Sequence, residues 1–196
     1  GFSGTITSGQ IAVGDKVRIT ASGQTAQVKS IVTFDGEPAQ ARANEAITLV
    51  LDKEIDASRG DVLTSADMPL DMTDQFEATL IWMHEEAGLI GRSYELKLAH
   101  QWAGASITSI KHRININTGS HEPCKKLELN DIAVCKIALS RPVAFSSYIT
   151  SQTLGGFILI DRFNQNTVAA GLISHNLRRA QNVHRQALSI TRQDRE

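Results

Sequence analysis

Four residues near the middle of the chain have side-chain types that bind metal ions. His112, His121, Glu122 and Cys124 supply imidazole, carboxylate and thiolate groups, all of which suit zinc. Three of the four lie close together at 121–124, however, and Lys125-Lys126 follows at once. This spacing is more typical of a polar loop than of a zinc site, so we predict no metal-binding residue.

Two further segments have side chains that suit acid–base or phosphate chemistry. His84-Glu85-Glu86 offers a base beside two carboxylates, but the run is typical of an exposed hairpin end. Gly88-Leu89-Ile90-Gly91-Arg92-Ser93 places glycines near a basic residue, yet it lacks the lysine and the helix-opening context of a phosphate loop. The chain also has no GxGxxG run and no Gly-x-Ser-x-Gly elbow. We therefore predict no catalytic residue and no cofactor-binding residue.

Arg59-Gly60-Asp61 matches the tripeptide that integrin-binding proteins display. Three residues recur by chance, and the surrounding sequence gives an adhesion motif no context. We interpret Gly60 as the residue that permits a turn or bulge before a strand at 61–64.

The composition limits the classes of partner. The 196 residues are 41% hydrophobic and 21% charged, which is enough for an ordinary core in one or two domains. The formal net charge is -1, so there is no general basic excess for nucleic acid or an anionic membrane. No apolar run approaches the roughly 20 residues that cross a bilayer, and no leader opens the chain. We expect a cytoplasmic protein in which Cys124 and Cys135 are ordinary thiols.

The first third of the chain predicts an antiparallel β domain, because short β-branched runs alternate with turn signals. In the third run Ala26, Val28, Val32 and Phe34 share one parity, so we expect that face to pack inward. The five strands predicted here are 2–7, 16–20, 25–34, 46–51 and 61–64.

A domain boundary is predicted after this block. Between Asp52 and Asp74 seven acidic residues accompany two basic ones, which is typical of solvated loops. Pro69 lies in this stretch, removes a backbone donor and restricts the residue before it. We predict a first domain at 1–66, a linker at 67–74 and a second domain at 75–175.

The second block predicts another β domain, with strands at 75–83, 94–100, 105–116, 131–139, 157–161 and 167–173. Within 105–116 the apolar side chains change parity between Ile107 and Ile110, which indicates a β-bulge. The continuous apolar run 157–160 fits a strand covered on both faces.

Residues 176–196 predict a short helical tail. Asn176 is a suitable helix cap, and apolar residues then recur at helical spacing from Leu177 to Leu188. Arg178, Arg179 and Arg185 occupy much of the remaining surface. Such a helix needs a partner surface to be stable.

Several of these segments carry a family resemblance. Ser8-Gly9-Gln10-Ile11-Ala12-Val13-Gly14-Asp15-Lys16-Val17 resembles the turn and strand signature of the second domain of translation-factor GTPases, which is a closed β-barrel. Segments 28–36 and 54–63 are similar to the large GTP-binding subunit of bacterial sulfate adenylyltransferase. Segments 76–83, 127–132, 157–161 and 166–173 resemble the third domain of that subunit.

The resemblance implies an all-β fold of two consecutive translation-factor-type barrels followed by a short helical tail. It implies a non-catalytic role that couples GTP hydrolysis to the formation of adenylylsulfate from ATP and sulfate. Segment 176–186 is similar to the junction that leads to adenylylsulfate kinase in bifunctional proteins. Because the chain starts without Met at Gly1 in what reads as a strand, we expect it to be excised from such a protein.

The same resemblance implies where the chemistry lies. GTP hydrolysis would precede residue 1, the kinase would follow residue 196, and adenylyl transfer would lie on a separate small subunit. GTP, ATP and magnesium are the cofactors implied for the whole protein, and none is implied for this chain. The expected partners are the GTPase domain, the small catalytic subunit and the kinase domain, with no membrane.

An alternative interpretation is a nucleic-acid-binding module, since related barrels in elongation factors bind aminoacyl-tRNA. Lys111-His112-Arg113, Lys125-Lys126 and the arginines of the tail are the basic groups that support it.

Overall fold

The computed structural model describes residues 1–177, which form two consecutive all-β units. The predicted tail from Arg178 onward, with its arginines, lies outside the described residues. Within residues 1–177 the only helix is the four-residue α1 (Gln152–Gly155). In this part of the chain no helix is long and apolar enough to span a membrane.

The first unit is built from seven short strands. Five of them form an antiparallel sheet in the order β1-β6-β4-β3-β7, and β2 and β5 form a separate ribbon. Val17, Ile19, Val28 and Ile31 are buried at its centre. The strands are β1 (Phe2–Thr5), β2 (Gln10–Ala12), β3 (Lys16–Ile19), β4 (Thr25–Val32), β5 (Gln40–Arg42), β6 (Ala46–Leu51) and β7 (Leu63–Ser65).

The predicted inward face of β4 is correct only at its beginning. Ala26 and Val28 are buried, but the register with β6 shifts between Val28 and Ser30. After this bulge Ile31 points inward, and Phe34 is fully exposed in the turn beyond the strand. The prediction that Phe34 packs inward is wrong, because one extra residue transfers the following side chains to the opposite face.

The second unit is a closed barrel. Six antiparallel strands follow one another in the order β10-β15-β16-β8-β14-β11, and a pairing between β10 and β11 closes the ring. β12 extends the sheet beside β11, and β9 and β13 form a small ribbon. The strands are β8 (Asp71–Trp82), β9 (Gly88–Leu89), β10 (Ser93–Leu98), β11 (Gln101–Ile114), β12 (His121–Glu122), β13 (Lys126–Leu127), β14 (Ile132–Phe145), β15 (Gly156–Asp161) and β16 (Thr167–Asn176).

Aromatic side chains fill much of the barrel interior. The rings of Trp82 and Tyr94 meet edge to face with centroids 5.8 Å apart, and those of Phe76 and Phe157 meet at 5.4 Å. Gly171 makes room for this packing, since a Cβ there would lie 2.1 Å from the Phe157 ring.

The predicted bulge in β11 is confirmed. Its pairing with β14 shifts between Ile107 and Ser109 and again between Ile110 and His112. The apolar run of β15 is covered on both faces only in part, because Phe157, Leu159 and Ile160 are buried while Ile158 is intermediate.

The two ends of the second unit differ from the predicted bounds. β8 begins at Asp71, inside the predicted linker, because β14 runs on to Phe145 and pairs with Asp71–Thr73. At the other end Asn176 is the last residue of β16, and the tail that it was predicted to cap lies outside the described residues. Its amide oxygen accepts a hydrogen bond from Thr73 Oγ1 at 2.7 Å, and its backbone pairs opposite Phe76.

A glycine lies where the two units touch. Gly60 has φ of +102°, and a Cβ at this position would lie 2.9 Å from the carbonyl oxygen of His100 in the turn between β10 and β11. The carboxylate of Asp61 accepts a hydrogen bond from the Ser58 N–H at 2.7 Å. As predicted, this glycine of the Arg59-Gly60-Asp61 run serves a turn before a strand.

Candidate functional site

One end of the second barrel gathers most of the residues that the sequence suggested for chemistry. We define the far end as the end where β8, β11 and β15 finish and where β10, β14 and β16 begin, which follows from their antiparallel order. The contact between Gly60 and His100 lies at the opposite end, where β10 finishes and β11 begins. The β9–β13 ribbon covers the far end and buries Leu127 in the core.

Arg92 is the centre of a first polar cluster at the far end. Its Nη2 atom lies 2.6 Å from Oδ2 of Asp161, and its Nη1 atom lies 3.0 Å from Oε2 of Glu86. The other oxygen of Asp161 accepts hydrogen bonds from the N–H groups of Phe163 and Asn164. The Phe163 N–H, with smaller contributions from Asn164 and Arg92, holds the pKa of Asp161 below its usual range. Asp161 therefore stays ionised while it is almost fully buried.

The neighbouring aromatic residues fix the shape of this cluster. Trp82 donates its indole N–H to the carbonyl of Glu86 at 2.9 Å, and the Arg92 guanidinium lies 5.8 Å from the centre of the Tyr94 ring. Gly88 is required beside Trp82, because a Cβ there would come within 2.8 Å of the indole. Only a shallow depression of about 140 Å³ remains between these groups. It is smaller than the roughly 300 Å³ at which pockets for small molecules begin.

The segments predicted to be unsuited to chemistry have structural partners at the far end. Nδ1 of His84 accepts the Glu86 N–H at 3.1 Å, so its side chain closes a turn. In the glycine-containing segment Gly88–Ser93, the guanidinium of Arg92 is already occupied by two carboxylates.

Arg113 is the centre of a second polar cluster. It contacts Glu122 at 2.8 Å and Asp131 at 3.4 Å, and Asn115 donates to the other oxygen of Glu122 at 2.8 Å. The hydrogen bond from Asn115, followed by that from Arg113, lowers the pKa of Glu122. The two clusters are alike, because each holds one arginine between two carboxylates.

The residues considered for zinc are close together but do not form a metal site. The rings of His112 and His121 stack face to face with centroids 3.8 Å apart, and both oxygens of Glu122 are bound by Arg113 and Asn115. Cys124 is half-buried against the core, and burial raises the pKa of its thiol. Among residues 1–177 no three His, Cys, Asp or Glu side chains are arranged to hold a metal ion.

The basic groups that supported nucleic-acid binding are mostly paired with acidic ones. Lys111 contacts Glu77 at 2.8 Å, and Lys126 contacts Glu128 at 2.8 Å. Arg113 lies between Glu122 and Asp131. These pairs cancel the local positive charge that a phosphate backbone requires, so this arrangement does not favour the nucleic-acid interpretation.

Exposed apolar side chains lie at the same end of the barrel as the polar clusters. Phe163 in the β15–β16 turn is 91% exposed and Ile116 beyond β11 is 72% exposed. Four more lie half-exposed in the neighbouring turns and on β9, namely Met83, Leu89, Ile90 and Leu129. We call these six residues the apolar rim. The sequence reasoning missed both the rim and the Arg92 cluster, although an aromatic residue in the otherwise polar Asp161-Arg162-Phe163-Asn164 segment was an available signal.

Comparisons with known proteins agree with the predicted family resemblance. Residues 75–174 match the family model described as GTP-eEF1A C-terminal domain-like, and residues 2–64 match elongation factor Tu domain 2. The chain is 45% identical over 97% of its length to the bifunctional enzyme NodQ of Rhizobium sp. (strain N33). It is 43% identical over 88% of its length to sulfate adenylyltransferase subunit 1 of Saccharophagus degradans. It spans 29% and 37%, respectively, of these two relatives.

Solved structures support the fold. The crystal structure of sup35 with GDP matches with a TM-score of 0.81 at 22% identity, over 90% of this chain and 44% of that one. The predicted fold class of two consecutive translation-factor-type β units is confirmed by this match together with the two family models.

Proposed function

This chain belongs to the GTP-eEF1A C-terminal domain-like family, and from that premise we propose that it is the non-catalytic β-barrel part of the GTP-binding subunit of a sulfate adenylyltransferase. The observation that carries the proposal is the identity of 43–45% with such a subunit and with a bifunctional relative, over 88–97% of the chain. The proposed role is to couple GTP hydrolysis to the formation of adenylylsulfate from ATP and sulfate.

The geometry suits a coupling element. A closed barrel has no free sheet edge and resists deformation, so it moves as a unit when a switch region changes. In the turn that Gly60 touches, Gln101 is buried and its side-chain amide bonds both the N–H and the C=O of Ala144 at 2.8 Å. A displacement of the first unit would therefore push on the β10–β11 turn, and the Gln101 hydrogen bonds would pass that displacement to the whole barrel.

The chemistry itself is proposed to lie elsewhere in a longer protein. At the far end Arg92 is paired with two carboxylates, and the depression beside it is too small for a nucleotide. We propose that GTP, ATP and magnesium bind to other parts of the assembly: a GTPase domain, a small catalytic subunit and, in the bifunctional form, an adenylylsulfate kinase domain. A cytoplasmic location goes with this proposal, since ATP and GTP are supplied there.

Removal of the barrels in the full-length protein tests the proposal. The full-length protein and a version without residues 1–177 are each combined with the small subunit, and adenylylsulfate formation is measured with and without GTP. We expect the stimulation by GTP to disappear, and GTP hydrolysis by the shortened protein serves as the control for its folding. Unchanged stimulation by GTP would refute the coupling role.

A point substitution avoids the risk that the shortened protein misfolds. Gly60→Val strains a backbone with positive φ and places a side chain against the His100 carbonyl, while it leaves both cores unchanged. We expect GTP hydrolysis to continue with fewer molecules of adenylylsulfate formed per GTP. Gly36→Val is the matched control, since Gly36 also has positive φ, at +131°, but has open space around it.

A further inference from the structure

We propose that the far end of the second barrel is a docking surface for a protein partner, and that it binds an apolar segment flanked by lysine or arginine. The partner's identity rests on the proposed function: it is the separate small subunit that carries adenylyl transfer. The apolar rim, the rigidity of the surface and its charge each support this inference.

The apolar rim is large for one end of a small barrel. Among the described residues eleven large hydrophobic side chains are exposed, and six of them belong to the rim. More than half of the exposed large hydrophobic side chains therefore lie at this one end of the second barrel. A concentration of exposed apolar side chains bordered by polar groups is typical of protein interaction sites.

The rim is held in place before any partner arrives. The turn that carries Phe163 is fixed by Asp161, whose carboxylate accepts the Phe163 and Asn164 N–H groups. Leu89 lies on the β9–β13 ribbon opposite Lys126, and Met83 donates its N–H to Val168 at 2.8 Å. A surface that is ordered in advance loses little conformational entropy on binding, so its apolar area contributes more to affinity.

The charge of the far end identifies the partner's chemistry. The clusters around Arg92 and Arg113 each contain one cation and two carboxylates, so each has an excess of one negative charge. Glu86 is the most accessible of these carboxylates, with a side chain 62% exposed. A neighbouring Lys126 is balanced by Glu128. The loops at this end also contain one further lysine, Lys125, and one further glutamate, Glu85, so these two leave the net charge unchanged. An apolar segment with basic flanks complements this pattern, whereas nucleic acid and anionic membranes do not.

Binding measurements test the docking surface in the full-length protein. The affinity for the purified small subunit is measured by calorimetry for the wild type, for the double variant Leu89→Lys/Phe163→Lys and for Glu86→Lys. We expect the double variant to lose at least about tenfold in affinity, because central apolar anchors dominate such interfaces. Glu86→Lys should lower affinity by about threefold or more, and the loss should shrink at high salt.

Matched controls are available on the first unit. Phe34→Lys changes an equally exposed aromatic residue, and Glu37→Lys changes an exposed glutamate, both far from the rim in sequence and in a different unit. We expect both to bind the small subunit as the wild type does. Circular dichroism and thermal unfolding check that every variant is folded.

Three results would overturn the docking inference. We call Leu89→Lys/Phe163→Lys and Glu86→Lys the far-end variants. The first result is that these variants bind the small subunit with the same affinity as the wild type. The second is tRNA binding at low salt that the far-end variants abolish, and the third is self-association of the wild type that they abolish. If the far-end variants bind normally while removal of residues 1–177 abolishes the GTP stimulation, the docking inference fails and the proposed function stands. If that removal leaves the stimulation unchanged, the proposed function fails whatever the binding result.

Discussion

Replacement of Gln101 by leucine is expected to destabilise the second barrel strongly. Gln101 is only 8% exposed, and its side chain makes two hydrogen bonds of 2.8 Å to the backbone of Ala144. Leucine has a similar size but no polar atoms. Gln101→Leu therefore leaves one N–H and one C=O of Ala144 buried without their partner.

The magnitude follows from these two orphaned groups. A buried donor or acceptor without a partner costs about 1–3 kcal/mol, so we expect the free energy of unfolding to fall by roughly 2–4 kcal/mol. In urea this corresponds to a midpoint lower by roughly 1–3 M for a unit of this size. The loss is large compared with that of an ordinary surface substitution, which stays within about 0.5 kcal/mol.

Tryptophan fluorescence is a selective assay for this barrel. The chain has two tryptophans, Trp82 and Trp102, and both lie in the second unit, so the signal follows that unit alone. Gln152→Leu is the matched control, because Gln152 is exposed and makes no side-chain hydrogen bond within the described residues. A Gln101→Leu midpoint equal to that of Gln152→Leu would refute the reasoning that the two buried bonds fix the β10–β11 turn.

Three further predictions concern packing, acid stability and thiol reactivity in the same barrel. Gly171→Ala should lower the midpoint of thermal unfolding, because the new Cβ would lie 2.1 Å from the Phe157 ring. Adding Phe157→Leu to Gly171→Ala should recover part of this loss. A double variant whose loss equals the sum of the two single losses would contradict the prediction. Because the pKa of Asp161 is lowered in the folded state, its contribution is complete above the ordinary carboxyl pKa and disappears as the pH falls below about 3.9. Asp161→Asn should therefore show a smaller loss of stability from pH 5 to pH 2 in denaturant titrations, and an unchanged acid limb would contradict the assignment. Burial raises the pKa of Cys135 to about 12, so a thiol reagent at neutral pH should modify at most Cys124 in the native chain and both cysteines in urea; rapid labelling of both in the native chain would exclude a closed barrel.

The far end changes how the sequence clusters are understood. Four residues looked like possible zinc ligands, yet Glu122 instead holds Arg113 and His121 stacks on His112. A glycine segment looked like a distorted phosphate loop, yet Gly88 is there because the Trp82 ring lies against it. These clusters shape the surface that we propose as the docking site.

Much of the fold was predictable because local physics and the global arrangement agree. Alternation of apolar and polar side chains identified most of the long strands, and the parity change near Ile107 identified the bulge in β11. The strands that escaped prediction, such as β9 and β12, contain only two residues each. Strands this short have no periodicity to detect. They form because a neighbouring strand of the same chain supplies their hydrogen bonds.

The sequence by itself determined the all-β class, the family resemblance and the lack of a nucleotide-binding motif, since these depend on residue types and short-range spacing. Only the tertiary structure decided that Arg92 meets Asp161, 69 positions away, and that six apolar side chains from separate turns form one rim. Barrel closure brings those positions together through the pairing of β10 with both β11 and β15. The reason is that register between distant strands depends on packing of the whole core, and no local pattern encodes which turns will share one end of the barrel.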